Sequence, residues 1–382
     1  MTIDERLANT HFPLPAIREV NLSKHATGIS LGLGELKKFP VDPRILDALQ
    51  ASWQQGGPSY SPNAGLPALR SAVADNHYQQ DGFNYTEANV VVTIGVQNAV
   101  YTAIKTLHKL GAKRILIPEI YFGIYLKIPK EFGMEVEMYA LTDDFGVDLN
   151  ALEHQLRPDD VVLLNSPANP TGRVLSEPEQ QALGNLLQRK LTDGYVISDE
   201  IYGRLVYDGV PFISFSKFFD RTIVVDGISK SGAVAGLRVG WIITRNTTLA
   251  QAFTSTNAAI ISAPPTANQF AAIPVVKGET EATIRSYNEV LRKNRNLVEA
   301  TLARLDIPFV SPRGSFYIFP ILKPLLGDQV REFCLNTARA ESGVVVIPGV
   351  AFGAPDCIRI SLATDEMEEG MYRLEKALEG YR

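Results

Sequence analysis

Between residues 89 and 245 one pattern recurs along the chain. A short apolar run ends in a small or polar turn, and a stretch follows in which apolar residues return every three or four positions. The runs are Asn89–Thr93, Arg114–Pro118, Val136–Leu141, Val161–Asn165, Tyr195–Glu200, Thr222–Asp226 and Val239–Thr244. Their length and their share of Val and Ile predict buried strands. Between them, Val100, Ile104 and Leu107 mark the inward face of one helix, and Glu177–Lys190 reads as another. Strands that alternate with helices predict an α/β architecture: a mostly parallel sheet with helices on both faces.

The flanks carry other patterns. Residues 1 to about 45 show little period beyond a short apolar run, Ile29–Leu33, which leads through Gly32 to Gly34 and Glu35. No third glycine follows at dinucleotide-fingerprint spacing, so that motif is excluded; Gly34 marks a turn or a place where backbone nears a ligand. Asp42-Pro43 opens a helix through Ile45, Leu46 and Leu49, and a second helix carries Leu66, Leu69 and Val73. The loop between them, residues 56–65, holds one large residue, Tyr60. Beyond residue 245, Ile260–Gln269 reads as a proline-containing loop running into a helix. Residues 280–305 read as a long charged amphipathic helix. Gly314–Pro320, Val344–Pro348 and Cys357–Ala363 read as strands of a second, smaller α+β unit. The expected division is a large domain over 46–280 and a small one made of 1–45 with 281–382.

Composition narrows the class. Hydrophobic residues make up 45% of the 382, enough for a sizeable core in more than one unit. The formal net charge of -5 argues against nucleic acid or a membrane surface as partner. No uncharged apolar run reaches spanning length, and the N-terminus lacks the apolar core of a secretion signal. With only Cys334 and Cys357 present, both are expected as reduced thiols of a cytoplasmic protein. No metal-ligand spacing is present.

Candidate chemistry gathers where strands end. Lys230 lies among Ser229, Ser231, Gly232 and Ala233, so its amine meets little steric crowding. A partly desolvated lysine gives up its proton readily and forms a Schiff base with an aldehyde. Arg238 offers a fork of donors suited to phosphate. Aldehyde and phosphate on one small molecule describe pyridoxal 5′-phosphate. Gly95, Val96 and Gln97 stand where a strand gives way to a helix, which presents free N–H groups to a phosphate or makes a plain turn. Phe122 follows another strand and either stacks on a flat ligand or packs in the core. Asn169 sits in turn chemistry, Asn169-Pro-Thr-Gly172. Asp199 ends a buried strand, where an acid either neutralises a buried cation or forms a cap or salt bridge. Arg359 alternates with apolar residues and needs an anionic partner, a substrate carboxylate or a protein acid. Ligands of such sheets gather outside the carboxyl ends of the strands, and Gly95, Phe122, Asn169, Asp199 and Lys230 all lie there.

Taken in order, Ser166-Pro-Ala-Asn-Pro-Thr-Gly172, Ser198-Asp-Glu-Ile-Tyr202, Ser229-Lys230 with Gly236 and Arg238, Gly314-Ser-Phe-Tyr317 and Arg359-Ile-Ser-Leu-Ala363 resemble the class I/II pyridoxal-phosphate aminotransferases of fold type I. The resemblance runs from about Ile29 to the C-terminus. It implies that Lys230 holds the cofactor and moves the substrate α-proton, and that Asp199 pairs with the pyridine nitrogen. Asn169 and Tyr202 would bond the ring oxygen, and Phe122 would stack on the ring. Arg238, Ser229 and the amides of Gly95, Val96 and Gln97 would hold the phosphate. Arg359 would clamp the substrate carboxylate beside Gly34 and Asn169. Tyr60 would reach the phosphate of a neighbouring subunit, which implies a homodimer.

The chain departs from the family pattern in places. Gly227 stands where many relatives have serine, and Gly34-Glu35-Leu36 replaces a common Gly-Glu-Pro. Some aspartate-specific relatives carry lysine where Gln97 stands. With the aromatic set Tyr121, Phe122, Tyr125 and Phe316, this favours a neutral or aromatic amino donor over an acidic one. The implied activity is transfer of an amino group from an L-amino acid to a 2-oxo acid by ping-pong half-reactions. A β- or γ-lyase on the same fold is the alternative. A non-catalytic regulatory domain is a third reading, but motifs that begin near residue 29 leave no room for a DNA-binding extension.

Overall fold

A computed structural model of the chain describes residues 16–381, so the part of the expected N-terminal arm before residue 16 lies outside the described residues. Strand β1 is Ile29–Ser30. The seven apolar runs then form β2 (Val90–Thr93), β3 (Arg114–Pro118), β4 (Glu135–Tyr139), β5 (Val161–Asn165), β6 (Tyr195–Asp199), β7 (Thr222–Gly227) and β8 (Gly240–Thr244). They make one sheet in the order β2-β8-β7-β6-β5-β3-β4. Strand β8 runs antiparallel to both its neighbours, and the remaining pairs are parallel. The reason is local. Only residues 228–239 separate β7 from β8, too short a path for a helical crossover, so the chain turns back directly. That turn carries Lys230 and Arg238.

Alternation along the strands divides the core, because successive side chains point to opposite faces. Val91, Ile115, Ile117, Leu163, Ile197, Ile223, Val225 and Ile242 enter one buried cluster. Their neighbours go to the opposite face: Val90, Val92, Val224 and Ile243 at one end, Leu116, Val162, Leu164 and Val196 at the other. The helix Val96–Lys109 buries Val96, Ala99, Val100, Ala103, Ile104 and Leu107, a single stripe at helical spacing, against the first face.

The C-terminal part adds β9 (Tyr317–Ile318), β10 (Val344–Val345), β11 (Ile347–Pro348) and β12 (Ile358–Ser361). Strands β11, β12 and β9 form an antiparallel sheet with β12 in the middle, while β10 pairs in parallel with β1. The run Val344–Pro348 is therefore two strands in two sheets, not one, with the change of partner at Val346. The long helix spans Glu281–Arg304 as the periodicity predicts. The proline-containing loop read over Ile260–Gln269 is confined to residues 262–265 and runs into the helix Thr266–Val276. A preceding helix, Thr247–Ile261, capped by the Asn246 side chain, was not read; its buried stripe of Leu249, Ala250, Phe253, Thr256 and Asn257 is half small or polar, which weakens the apolar period. The N-terminal arm is stitched to this part: Leu31 N–H donates to the Val345 carbonyl at 2.9 Å and Ser361 N–H to the Leu31 carbonyl at 2.7 Å.

Candidate active site

A cavity of about 520 Å³ opens at the carboxyl ends of the parallel strands, a volume usual for small-molecule sites. Gly34, Val96, Gln97, Phe122, Asn169, Asp199, Tyr202, Ser229, Lys230, Arg238 and Arg359 all line it. The structure thus brings together almost every candidate residue. Gly95 stands just behind, against Arg238. Tyr60 is 90% exposed and lies outside the lining of its own chain's cavity.

Lys230 follows β7 in the one-turn helix Ile228–Ser231. Its ammonium donates to the Gly34 carbonyl and lies 5.5 Å from the centre of the Phe316 ring. Burial, then the nearby charges of Arg359 and Arg238, lowers its pKa to about 8, against weaker support from Glu35 and Asp199. Asp199 closes β6 at 3% exposure. Burial holds its pKa up at about 6 even though Tyr125 donates to Oδ2 at 2.7 Å and the Ile201 N–H to Oδ1 at 3.2 Å. No cation among the described residues forms an ion pair with it. The adjacent Glu200 is also buried but faces away, with Oε1 accepting from Ser198, Ser214 and the Phe215 N–H.

Arg359 is the second unbalanced charge. It is 3% exposed, and no acidic side chain among the described residues pairs with it. Nη1 donates to Asn169 Oδ1 at 3.0 Å, Nη2 to the Gly32 carbonyl at 3.1 Å, and Nε has no partner. The rings of Tyr317 and Phe352 lie 4.2 and 4.8 Å from the guanidinium carbon. The partner of this arginine in the free chain is therefore a set of neutral acceptors and aromatic faces. Asn169 is itself fixed by its N–H donating to Asn165 Oδ1 at 2.8 Å.

The lining around Val96 and Gln97 is shaped by backbone. Gly95 adopts φ 82°, ψ 167°, a region nearly closed to other residues, and opens the helix Val96–Lys109. The N–H groups of Val96 and Gln97 have no acceptor within that helix. A Cβ on Gly95 would fall 2.6 Å from Arg238 Nη2, and one on Gly240 2.8 Å from the Val96 nitrogen. Two glycines thus let the helix start, β8 and the arginine meet. Arg238 sits in the left-handed region at φ 54°, and its Nη1 donates to the Ala235 carbonyl at 2.9 Å.

Sequence reasoning missed several residues here. Tyr125 was read only as one of an aromatic set, yet its hydroxyl is the side-chain partner of Asp199. The available signal was a tyrosine placed at the start of a helix just beyond a strand's carboxyl end. Ile17 and Asn21 of the helix Ala16–Leu22 also line the cavity, and Phe352, at the end of the helical turn Gly349–Phe352, braces Arg359. Nothing local marked those three.

Other proteins share this arrangement. The model of the family "Aminotransferase class I and II" matches residues 26–374. The chain is 30% identical to the aspartate aminotransferase of Geobacillus stearothermophilus, over 92% of this chain and 91% of that one. It is 31% identical to the aromatic-amino-acid aminotransferase 2 of Thermococcus litoralis, over 92% and 91%. The crystal structure of Thermus thermophilus aspartate aminotransferase with maleate superposes with a TM-score of 0.88 at 25% identity, covering 99% of this chain and all of that one (100%). Fold, site and full-length similarity agree: the chain belongs to the class I and II aminotransferase family and is an aminotransferase.

Proposed function

We propose that this aminotransferase works with pyridoxal 5′-phosphate in the cavity around Lys230. Its donor would be an L-amino acid with a neutral or aromatic side chain, and its acceptor a 2-oxo acid. Enzymes of the family depend on that cofactor. The observation that carries the reading is the charge imbalance of the cavity. It holds one buried carboxylate without a cation, one buried guanidinium without an acid, and between them a lysine with a weakened hold on its proton.

These groups fit the cofactor. Asp199 would pair with the ring nitrogen, Asn169 and Tyr202 would donate to the ring oxygen, and Phe122 would cover a ring face. Ser229, Arg238 and the backbone of Gly95, Val96 and Gln97 would hold the phosphate, with Tyr60 of a neighbouring copy completing it in a homodimer. When bound, the cofactor supplies an aldehyde that condenses with amines and a protonated ring that accepts electron density from the substrate α-carbon. The chain's residues do the rest. Arg359 takes the substrate carboxylate in its free donors, with Asn169 and the Gly32–Gly34 backbone beside it. Lys230, once its amine is free, takes the α-proton and returns it, a task suited to a base with a pKa near the working pH. Asp199, buried and hydrogen-bonded by Tyr125, would be held in place to pair with the ring nitrogen.

The preference for a neutral donor rests on the cavity wall. Ile17, Leu33, Phe122, Ile124 and Ile201 are apolar, and Asn21 and Gln97 are neutral amides. Among the lining residues the cations are Lys230, Arg238 and Arg359, each already engaged in the reading. A second substrate carboxylate meets no further cation there. The reading takes residues 46–280 as the cofactor-binding part and 1–45 with 281–382 as the part that carries Arg359, in a cytoplasmic enzyme. No helix among the described residues is long and apolar enough to cross a membrane.

The test is an absorbance spectrum of the cofactor-loaded protein, taken before and after single amino acids are added. A visible band that a neutral or aromatic amino acid bleaches, and a 2-oxo acid restores, is expected. Lys230→Ala should lose both the band and turnover. Bleaching by aspartate alone would overturn the donor preference, and near-normal turnover by Lys230→Ala would overturn the role of the lysine.

A further inference from the structure

Tyr317 lies in the middle of the cavity with contacts at both ends. It is 1% exposed. Its ring touches Arg359, with 4.2 Å from the ring centre to the guanidinium carbon, and its hydroxyl is 3.4 Å from the hydroxyl of Tyr202. Two phenols share two protons. One proton spans the pair, and the other has no acceptor among the described residues. The question is which phenol donates. The cation on the Tyr317 ring draws electron density from it, making its O–H the stronger donor. Burial raises the pKa of both phenols and Arg359 lowers both, but the guanidinium lies on the Tyr317 ring, and Tyr202 is raised the further of the two. Either hydroxyl can donate across this contact, and Tyr317 is the stronger donor of the two. With Tyr317 as donor, the Tyr202 proton is free to point into the cavity.

Building on the cofactor reading above, we propose that Tyr317 is a positioning residue joining the two ends of the site. Its ring holds Arg359 for the substrate carboxylate, and its hydroxyl, donating to Tyr202, turns the Tyr202 proton toward the ring oxygen of the bound cofactor. The contact of 3.4 Å is long for O–H···O, as is common before a ligand tightens a site. A hydroxyl that accepts one hydrogen bond is a stronger donor in the next. Without Tyr317 the ligand oxygen keeps more negative charge and holds the neighbouring proton more firmly.

The experiment compares wild type with Tyr317→Phe, Tyr317→Leu and Phe352→Leu, all loaded with pyridoxal 5′-phosphate. Two readouts are taken: the pH midpoint of the visible absorbance without substrate, and KM and kcat with the best amino acid. Tyr317→Phe keeps the ring and should move the midpoint upward by about 0.3 pH unit or more, with KM within about twofold. Tyr317→Leu should add a rise in KM of roughly tenfold. Phe352→Leu, whose ring meets Arg359 and Phe319 but neither tyrosine hydroxyl, should raise KM and leave the midpoint unmoved. A Tyr317→Phe midpoint equal to wild type, or a Tyr317→Leu KM equal to wild type, overturns the inference while the cofactor reading stands. A wild-type protein that develops no visible band overturns the cofactor reading and this inference with it.

Discussion

Among the side chains that line the cavity, Asp199 is a buried acid without an ion-pair partner among the described residues. Its carboxylate has hydrogen bonds from Tyr125 and the Ile201 N–H, and burial holds its pKa at about 6. In an unfolded chain the value is near that of a free carboxyl, 3.8. A folded pKa above the unfolded one means that the folded state prefers the protonated form. This group therefore withdraws stability as pH rises from about 4 to about 6, and the loss is then constant, at roughly 3 kcal/mol. Asp199→Asn keeps an acceptor for Tyr125 and removes the charge. The cofactor-free variant should match wild type in denaturant melts near pH 4 and exceed it by up to about 3 kcal/mol above pH 6. Its turnover should fall by orders of magnitude, since a neutral amide does not hold a ring nitrogen protonated. A variant less stable than wild type at pH 7 would mean that the carboxylate is already paired.

At the level of elements, the site depends on where helices and strands begin and end. Parallel strands β2, β3, β5, β6 and β7 send their carboxyl ends to one edge, and the β7–β8 turn returns Lys230 and Arg238 to that edge. Gly95 is the junction. Its backbone conformation and the nearness of Arg238 leave no room for a side chain. Gly95→Ala should lower stability by about 1–3 kcal/mol through backbone strain alone. By displacing the Arg238 guanidinium it should also weaken cofactor affinity by tenfold or more, read by fluorescence titration of the apo-protein. A loss of stability with unchanged affinity would remove Arg238 from the phosphate site.

At the level of the whole molecule, the largest buried cluster joins one face of the seven-stranded sheet to residues of β9 and β12 and to Leu374 and Leu378 of the helix Met367–Glu379. The cavity lies where these parts meet, lined by Lys230 from the turn after β7 and by Arg359 from β12. Tyr60, at 90% exposure, and Trp53, at 61%, present aromatic surface away from the cavity. A homodimer in which Tyr60 serves the neighbouring site makes a definite prediction. Tyr60→Ala and Lys230→Ala are each expected to be weak or inactive alone. Unfolded together and refolded, they form hybrids in which one site has both native residues, so activity should exceed the sum of the parents. No gain on mixing, with dimers verified by light scattering, would place Tyr60 outside the partner's site.

Much of this was legible in the chain. The seven strands of the sheet could be read because buried strands are short apolar runs, and their alternation with helices implied a parallel sheet. That these candidates would meet at one cavity could be read because Gly95, Phe122, Asn169, Asp199 and Lys230 each lie at or just past the end of such a run, and parallel strands bring their ends together. What stayed hidden needs contacts between distant segments. Of the adjacent acids Asp199 and Glu200, the turn after β6 selects which one enters the cavity. For Arg359 the sequence left open a substrate carboxylate or a protein acid; among the described residues no acid pairs with it, and it meets Asn169, the Gly32 carbonyl and two rings. Tyr125 meets Asp199 only because the helix Ile124–Glu131 packs over the strand ends. Local periodicity records which side of an element is buried; it carries no record of which buried groups from different elements touch, and that is set by how the sheets and helices pack.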